Sequence, residues 1–218
     1  MDWLALQLAD AAFPSGGFAH SGGMEAASQL GELHAGEVEA FARDVLWQAG
    51  FGSLPVVGDA HREPERVAAL EAGYDAFLTG TVANRASRTQ GRALASACAR
   101  SFGGAAVNEV YEAVRERRWL GHHAPLFGVL ARALGLPLGD ALAVWLHVAL
   151  RGALSAAVRL GLTGAHEAQS IQRAAAPLLD EVMAECGGLH AGDLAQTSPR
   201  IELLASQHDH LYSRLFQS

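Results

Sequence analysis

Apolar positions recur at helical rather than alternating spacing along most of this chain, and glycine or proline punctuates them. Residues 2–12 place Leu4, Leu8 and Ala11 on one stripe, predicting a short amphipathic helix stopped by Pro14-Ser15-Gly16-Gly17. A second helix is expected after Phe18-Ala19-His20-Ser21-Gly22-Gly23-Met24-Glu25, with Ser21 able to cap it. From Glu37 to about Trp47, Val38, Phe41 and Val45 keep the period. Leu54-Pro55 should end or break that run, leaving residues 50–62 partly loop. Glu65 to Leu78 repeats the pattern with Val67, Leu70, Tyr74 and Phe77. A polar stretch rich in Arg and Thr follows toward Cys98 and stops at Ser101-Phe102-Gly103-Gly104.

Beyond a charged turn at Glu112 to Arg118, Pro125 is well placed near the start of a helix reaching Ala133. Ala141 to Leu150 carries no formal charge and is apolar on all faces, the mark of a central helix surrounded by others. Small residues at Ala149, Gly152, Ala153, Ala156 and Ala157 allow a neighbour to approach closely. Arg151 and Arg159 argue against a bilayer. Glu167 to Cys186 reads as one helix closed by Gly187-Gly188, and a last helix should begin near Arg200. Neither an internal repeat nor a low-complexity linker divides residues 1–218, so one all-α bundle is expected, ending in a tail of about 199–218.

Composition agrees with that class. Half of the 218 residues are hydrophobic but only 7% are aromatic, with Ala and Leu dominant and β-branched residues sparse. A chain of this size can hide about 70% of its unfolded surface, enough for a substantial core. The formal net charge of −7 lacks the basic footprint of a nucleic-acid binder. All 16 basic residues are Arg, which excludes lysine Schiff-base and P-loop chemistry. Cys98 and Cys186 lack ligand-spaced companions and read as buried thiols. With no basic stretch ahead of an apolar run and no uncharged run of about 18 residues, a cytoplasmic protein is expected, neither membrane-bound nor exported.

Ordinary catalytic signatures are missing: there is no HExxH, Walker A, GxSxG or strand-borne GxGxxG. The ten histidines form no ligand-spaced set. His122 and His123 would point about 100° apart on a helix and read as surface or capping residues, and His208 and His210 fall on different faces. No catalytic, cofactor or metal residue is therefore assigned. Carboxylates such as Glu37, Glu39 and Asp44 read as solvated.

Three blocks carry a resemblance. The first is Leu6-Gln7-Leu8-Ala9-Asp10 followed by Phe13-Pro14-Ser15-Gly16-Gly17-Phe18 and on to Glu25. The second is Asn84-Arg85-Ala86-Ser87-Arg88-Thr89-Gln90-Gly91-Arg92-Ala93-Leu94. The third runs from Ser198-Pro199 through His208 to Leu211-Tyr212-Ser213-Arg214-Leu215-Phe216-Gln217-Ser218. Together they resemble the UreF family of urease accessory proteins, although residues 55–66 cannot be matched position by position.

The resemblance implies an all-α, dimeric, non-catalytic chaperone for metallocentre assembly. Such a protein binds a UreD or UreH-type accessory protein, the GTPase UreG and apo-urease while nickel cation is inserted. Insertion needs carbon dioxide for lysine carbamylation in urease and GTP hydrolysis by UreG. Candidate partner-binding residues are Phe13, Pro14, Gly16, Gly17, Phe18, Arg85, Arg88, Gln90, His208, Tyr212, Arg214, Leu215 and Phe216. Tyr212, Leu215 and Phe216 are costly to leave in water yet suited to a partner's groove, with Arg214 able to pair with a carboxylate. An arginine finger modulating UreG is compatible with the all-arginine set but not selected by it. Two other readings stand open: a small helical enzyme or regulator whose histidines and carboxylates converge only in three dimensions, and direct nickel storage.

Overall fold

The computed structural model describes residues 2–218; Met1, part of the start read above, lies outside them. It is all-α, with no strand among the described residues. The helices are α1 (Trp3–Ala9), α2 (Met24–Gln29), α3 (Val38–Gly52), α4 (Leu54–Arg62), α5 (Val67–Phe77) and α6 (Thr81–Ser101). They continue with α7 (Ala105–Arg115), α8 (His123–Ala133), α9 (Leu138–Arg159), α10 (Ala165–Ala174), α11 (Ala176–Cys186) and α12 (Pro199–Ser206).

The uncharged segment centred on Ala141 to Leu150 becomes α9, against which α1, α2, α3, α4, α8, α10 and α11 all pack. By length and composition α9 alone among the described helices could cross a membrane, yet more than half of its apolar window is buried by these neighbours. Leu146, Leu150 and Ala157 are fully enclosed. Each such leucine contributes roughly 1.5–3 kcal/mol by leaving water. Arg151 turns from this core to donate to the Ala9 carbonyl at 2.9 Å, which fastens α1. Both cysteines are buried free thiols, and burial pushes Cys98 up to about 12 and Cys186 up to about 11.

Three expectations need correction. Residues 50–62 are not partly loop: α3 continues to Gly52, and after Ser53 alone α4 begins at Leu54. Pro55 occupies its first turn, where a missing N–H costs nothing. Leu54 to His61 is buried throughout, because α4 lies directly on α8. Gly128 permits that approach, since a Cβ there would lie 2.3 Å from the Val57 carbonyl. The stretch from Glu167 to Cys186 is two helices, broken at Ala175 ahead of Pro177, whose ring cannot donate within a continuing helix. Finally, α2 is not capped by Ser21. Gly23, in the left-handed region at φ 89°, takes the cap position and Ser21 faces the other end of the chain.

Candidate functional site: the meeting of the chain ends with α6

The three blocks, far apart in sequence, meet on one side of the molecule. Gly16 adopts φ 81°, and a Cβ there would come within 3.2 Å of Ala93 on α6. Gly17 starts a short 3₁₀ turn to Ala19, beside Gln90. Phe13 is half-buried and stacks on Phe102 at 5.8 Å between centroids, while Pro14 stays exposed. The first block is thus seated on the second.

The third block closes over both. Glu25, 1% exposed, accepts from the Leu215 N–H at 2.6 Å, the Phe216 N–H at 3.1 Å and the Nε2–H of fully buried His208 at 3.1 Å. A carboxylate taken out of water needs such donors, because each unmet lone pair carries the desolvation penalty. Gln29 donates to the Ser213 carbonyl at 2.9 Å, and the Gln217 N–H to the Ala19 carbonyl at 2.8 Å. Ser21 donates twice to the Ser218 carbonyl, from its N–H at 2.6 Å and from its hydroxyl at 3.0 Å. His20 Nδ1 and Ser218 Oγ share a 2.5 Å hydrogen bond.

Arg159, at the end of α9, joins these segments. Its guanidinium lies 3.9 Å from the ring centre of Phe18 and 4.0 Å from that of Phe216, and it donates to the Phe18 carbonyl. Each cation–π contact contributes on the order of 0.5–2 kcal/mol. On α6, Arg85 holds Asp209 in a two-bond fork at 3.1 and 2.8 Å. Those bonds hold the Asp209 carboxyl below its usual range. Arg214 reaches the same carboxylate at 3.6 Å.

The expected tail residues therefore divide. Tyr212 is fully solvent-exposed, Leu215 is 54% exposed and Phe18 66% exposed, whereas Phe216 and His208 are buried inside the chain's own fold. A groove on a partner cannot receive Phe216 while it packs under Arg159.

A second buried network borders α6. Glu71 on α5 accepts three backbone N–H groups, from Leu120 at 2.6 Å, Gly121 at 2.8 Å and His122 at 2.7 Å. Burial pushes its carboxyl up, opposed by these three bonds. His122, expected at the surface or as a cap, does occupy the residue before α8 but is completely buried. Its Nε2 bonds Asp75 at 2.9 Å and its Nδ1 meets Ser87 Oγ at 3.1 Å. Burial holds it below the ordinary histidine range, against the pull of Asp75. This serine, imidazole and carboxylate order is that of a nucleophilic triad. Here, however, Ser87 also receives the His123 N–H at 3.2 Å, and the adjoining amides are committed to Glu71. The network locks the 120–122 loop onto α6. A Cβ on Gly91 would lie 2.2 Å from the Gly121 carbonyl, so only glycine admits the contact.

His20 stands close enough to His208 and His123 for their charges to matter. Burial, then the field of His208, brings His20 down to about 4; burial, then the field of His20, does the same to His123. His122 is turned away toward Asp75. Among the described residues no three His, Cys, Asp or Glu side chains are placed to hold a metal ion.

A family model, UreF, matches residues 33–176. Urease accessory protein F of Arabidopsis thaliana is 34% identical across 100% of this chain and 93% of its own length. The chain belongs to the UreF family of urease accessory proteins. Urease accessory protein F of Oryza sativa subsp. indica is 32% identical over 98% of this chain and 84% of its own length. Urease accessory protein UreF of Kocuria rhizophila is 31% identical over 98% and 95%. The first and third blocks lie outside the segment that the family model matches, but these relatives extend across both. Membership of this family carries a role in urease maturation.

In the sequence Glu25 and His208 stand in two separate blocks with no sign that they pair, Glu71 and Asp75 carry no mark at all, and Arg159 shows only as a charge at odds with a bilayer. Sequence marks a lone carboxylate or arginine in a helix the same way whether water or the core surrounds it. Gly16, Gly23 and Gly91 are the signal of close packing that the sequence does carry.

Proposed function

We propose that this UreF-family chain is a docking factor without chemistry of its own. It links a UreD or UreH-type accessory protein, the GTPase UreG and cytoplasmic apo-urease while nickel is inserted, and it acts as a homodimer. The observation that carries this reading is the way residues 207–218 are fastened. Glu25, Ser21 and Arg159 hold the backbone and Phe216, while Tyr212 and Leu215 project outward. Large apolar side chains presented on a rigid backbone lose little entropy on binding, which suits them to anchor a partner.

A pull-down with the purified UreD or UreH-type protein tests the reading. Tyr212→Asp with Leu215→Asp should abolish co-purification while leaving the melting temperature unchanged. Retained binding by that variant would remove the tail from the interface. Steady-state GTP turnover by UreG in the assembled complex tests the further role, with acceleration expected and no change opposing it.

A further inference from the structure

The charge of this chain is unevenly distributed. It carries −7 overall, yet the 21 residues of α6, Thr81–Ser101, contain Arg85, Arg88, Arg92 and Arg100 and no Asp or Glu. At 100° per residue all four fall within about one third of the helix circumference. The opposite face carries Gly91, Leu94, Ala95, Ala97 and Cys98 into the core. On an otherwise acidic molecule this row is exposed at Arg85, Arg92 and Arg100, while the charges of Arg88 and Arg92 also act on Asp75 and on buried Glu71.

The same face shows what it accepts. Arg85 is met by Asp209 in the bidentate fork that a planar guanidinium forms with a carboxylate. Arg88, Arg92 and Arg100 have no carboxylate within 4 Å among the described residues. Arg92 makes only a 3.4 Å bond to the Leu120 carbonyl, and Arg88 influences Asp75 through space alone. Arg92 and Arg100 are exposed. From Arg88 to Arg100 the positive forks are spread along about three helical turns rather than converging on one point, which suits carboxylates along a protein surface better than a single phosphate group.

We infer that the α6 face formed by Arg88, Arg92 and Arg100 docks a carboxylate-rich surface of a protein partner, continuing outward the pairing that Arg85 makes with Asp209. This deepens the docking reading above and rests on it.

The experiment measures affinity of the intact chain for purified UreD or UreH-type protein, UreG and apo-urease separately, at 50 and 300 mM salt. Heparin serves as a sulfated polyanion probe, and a self-association assay runs in parallel. Arg92→Glu with Arg100→Glu should weaken binding to one of the three at least tenfold at low salt and flatten its salt dependence. The neutral Arg88→Gln, Arg92→Gln, Arg100→Gln variant should give a smaller loss, and Arg132→Glu with Arg173→Glu should bind normally. If the wild type binds these proteins and both α6 variants match it, the inference is overturned while docking stands. Loss of heparin binding alone would assign the face to phosphate or sulfate polyanions. Loss of self-association alone would assign it to a second copy. Either result overturns the inference, and a wild type that binds none of the three proteins overturns both readings.

Discussion

The Glu25 carboxylate and the His208 imidazole, 183 positions apart in the chain, meet at 3.1 Å in a site that excludes water from both. The same carboxylate takes the amides of Leu215 and Phe216, so one side chain of α2 fixes the course of residues 208–216.

Replacing Glu25 by Gln keeps one oxygen but sets an amide N–H₂ against either the Leu215 N–H or the pair formed by the Phe216 N–H and the His208 imidazole, leaving those donors without an acceptor. Breaking one member of a buried charged network costs roughly 3–5 kcal/mol. The expected outcome is a lower denaturant midpoint together with lost hydrogen-exchange protection at Leu215 and Phe216. Protection at wild-type level would show that the tail is held by Arg159 and Ser21 instead.

Gly91→Ala runs against propensity. In an exposed helix interior the change stabilises by about 0.5–1 kcal/mol, but here the added methyl would sit 2.2 Å from the Gly121 carbonyl. Overpacking against backbone costs about 1–3 kcal/mol, so the net effect should be destabilising. Urea unfolding of the variant beside Gly73→Ala, at a helical position with open space around it, checks the sign.

Stability should fall in mild acid. His20 and His123 are held near 4 by burial against 6.5 in the unfolded chain, so below about pH 6.5 the unfolded state binds more protons than the folded one. Their stabilising contribution is complete above that pH and is lost progressively as pH falls toward 4. The slope is up to about 1.4 kcal/mol per pH unit for each proton. Urea midpoints at pH 7, 6 and 5 should decline for the wild type, and His20→Asn should reduce the slope; parallel profiles would contradict it.

Much of the helical layout is legible in the apolar spacing. The central position of α9 follows from an uncharged stretch apolar on every side, and the ends of α6 and α8 from Gly103-Gly104 and Pro125. Two failures have one physical source, since proline marks either the first turn of a helix or its end. The break expected at Leu54-Pro55 does fall there, at Ser53, but Pro55 sits in the first turn of α4 rather than in a loop, and Pro177 separates α10 from α11 where the apolar spacing alone shows one helix. The three blocks meet in the fold, and Gly16, Arg85 and His208 lie where they touch. Their mutual contacts were not legible, because the partners of Glu25, Glu71 and Arg159 come from segments up to 191 positions away.

The most direct test of the maturation role is urease activity and urease-bound nickel in cells that carry the cognate urease cluster with only this gene deleted, then restored. Both should be lost on deletion while apo-urease protein persists, and both should return with the gene. Full activity and full nickel occupancy without the gene would contradict that role.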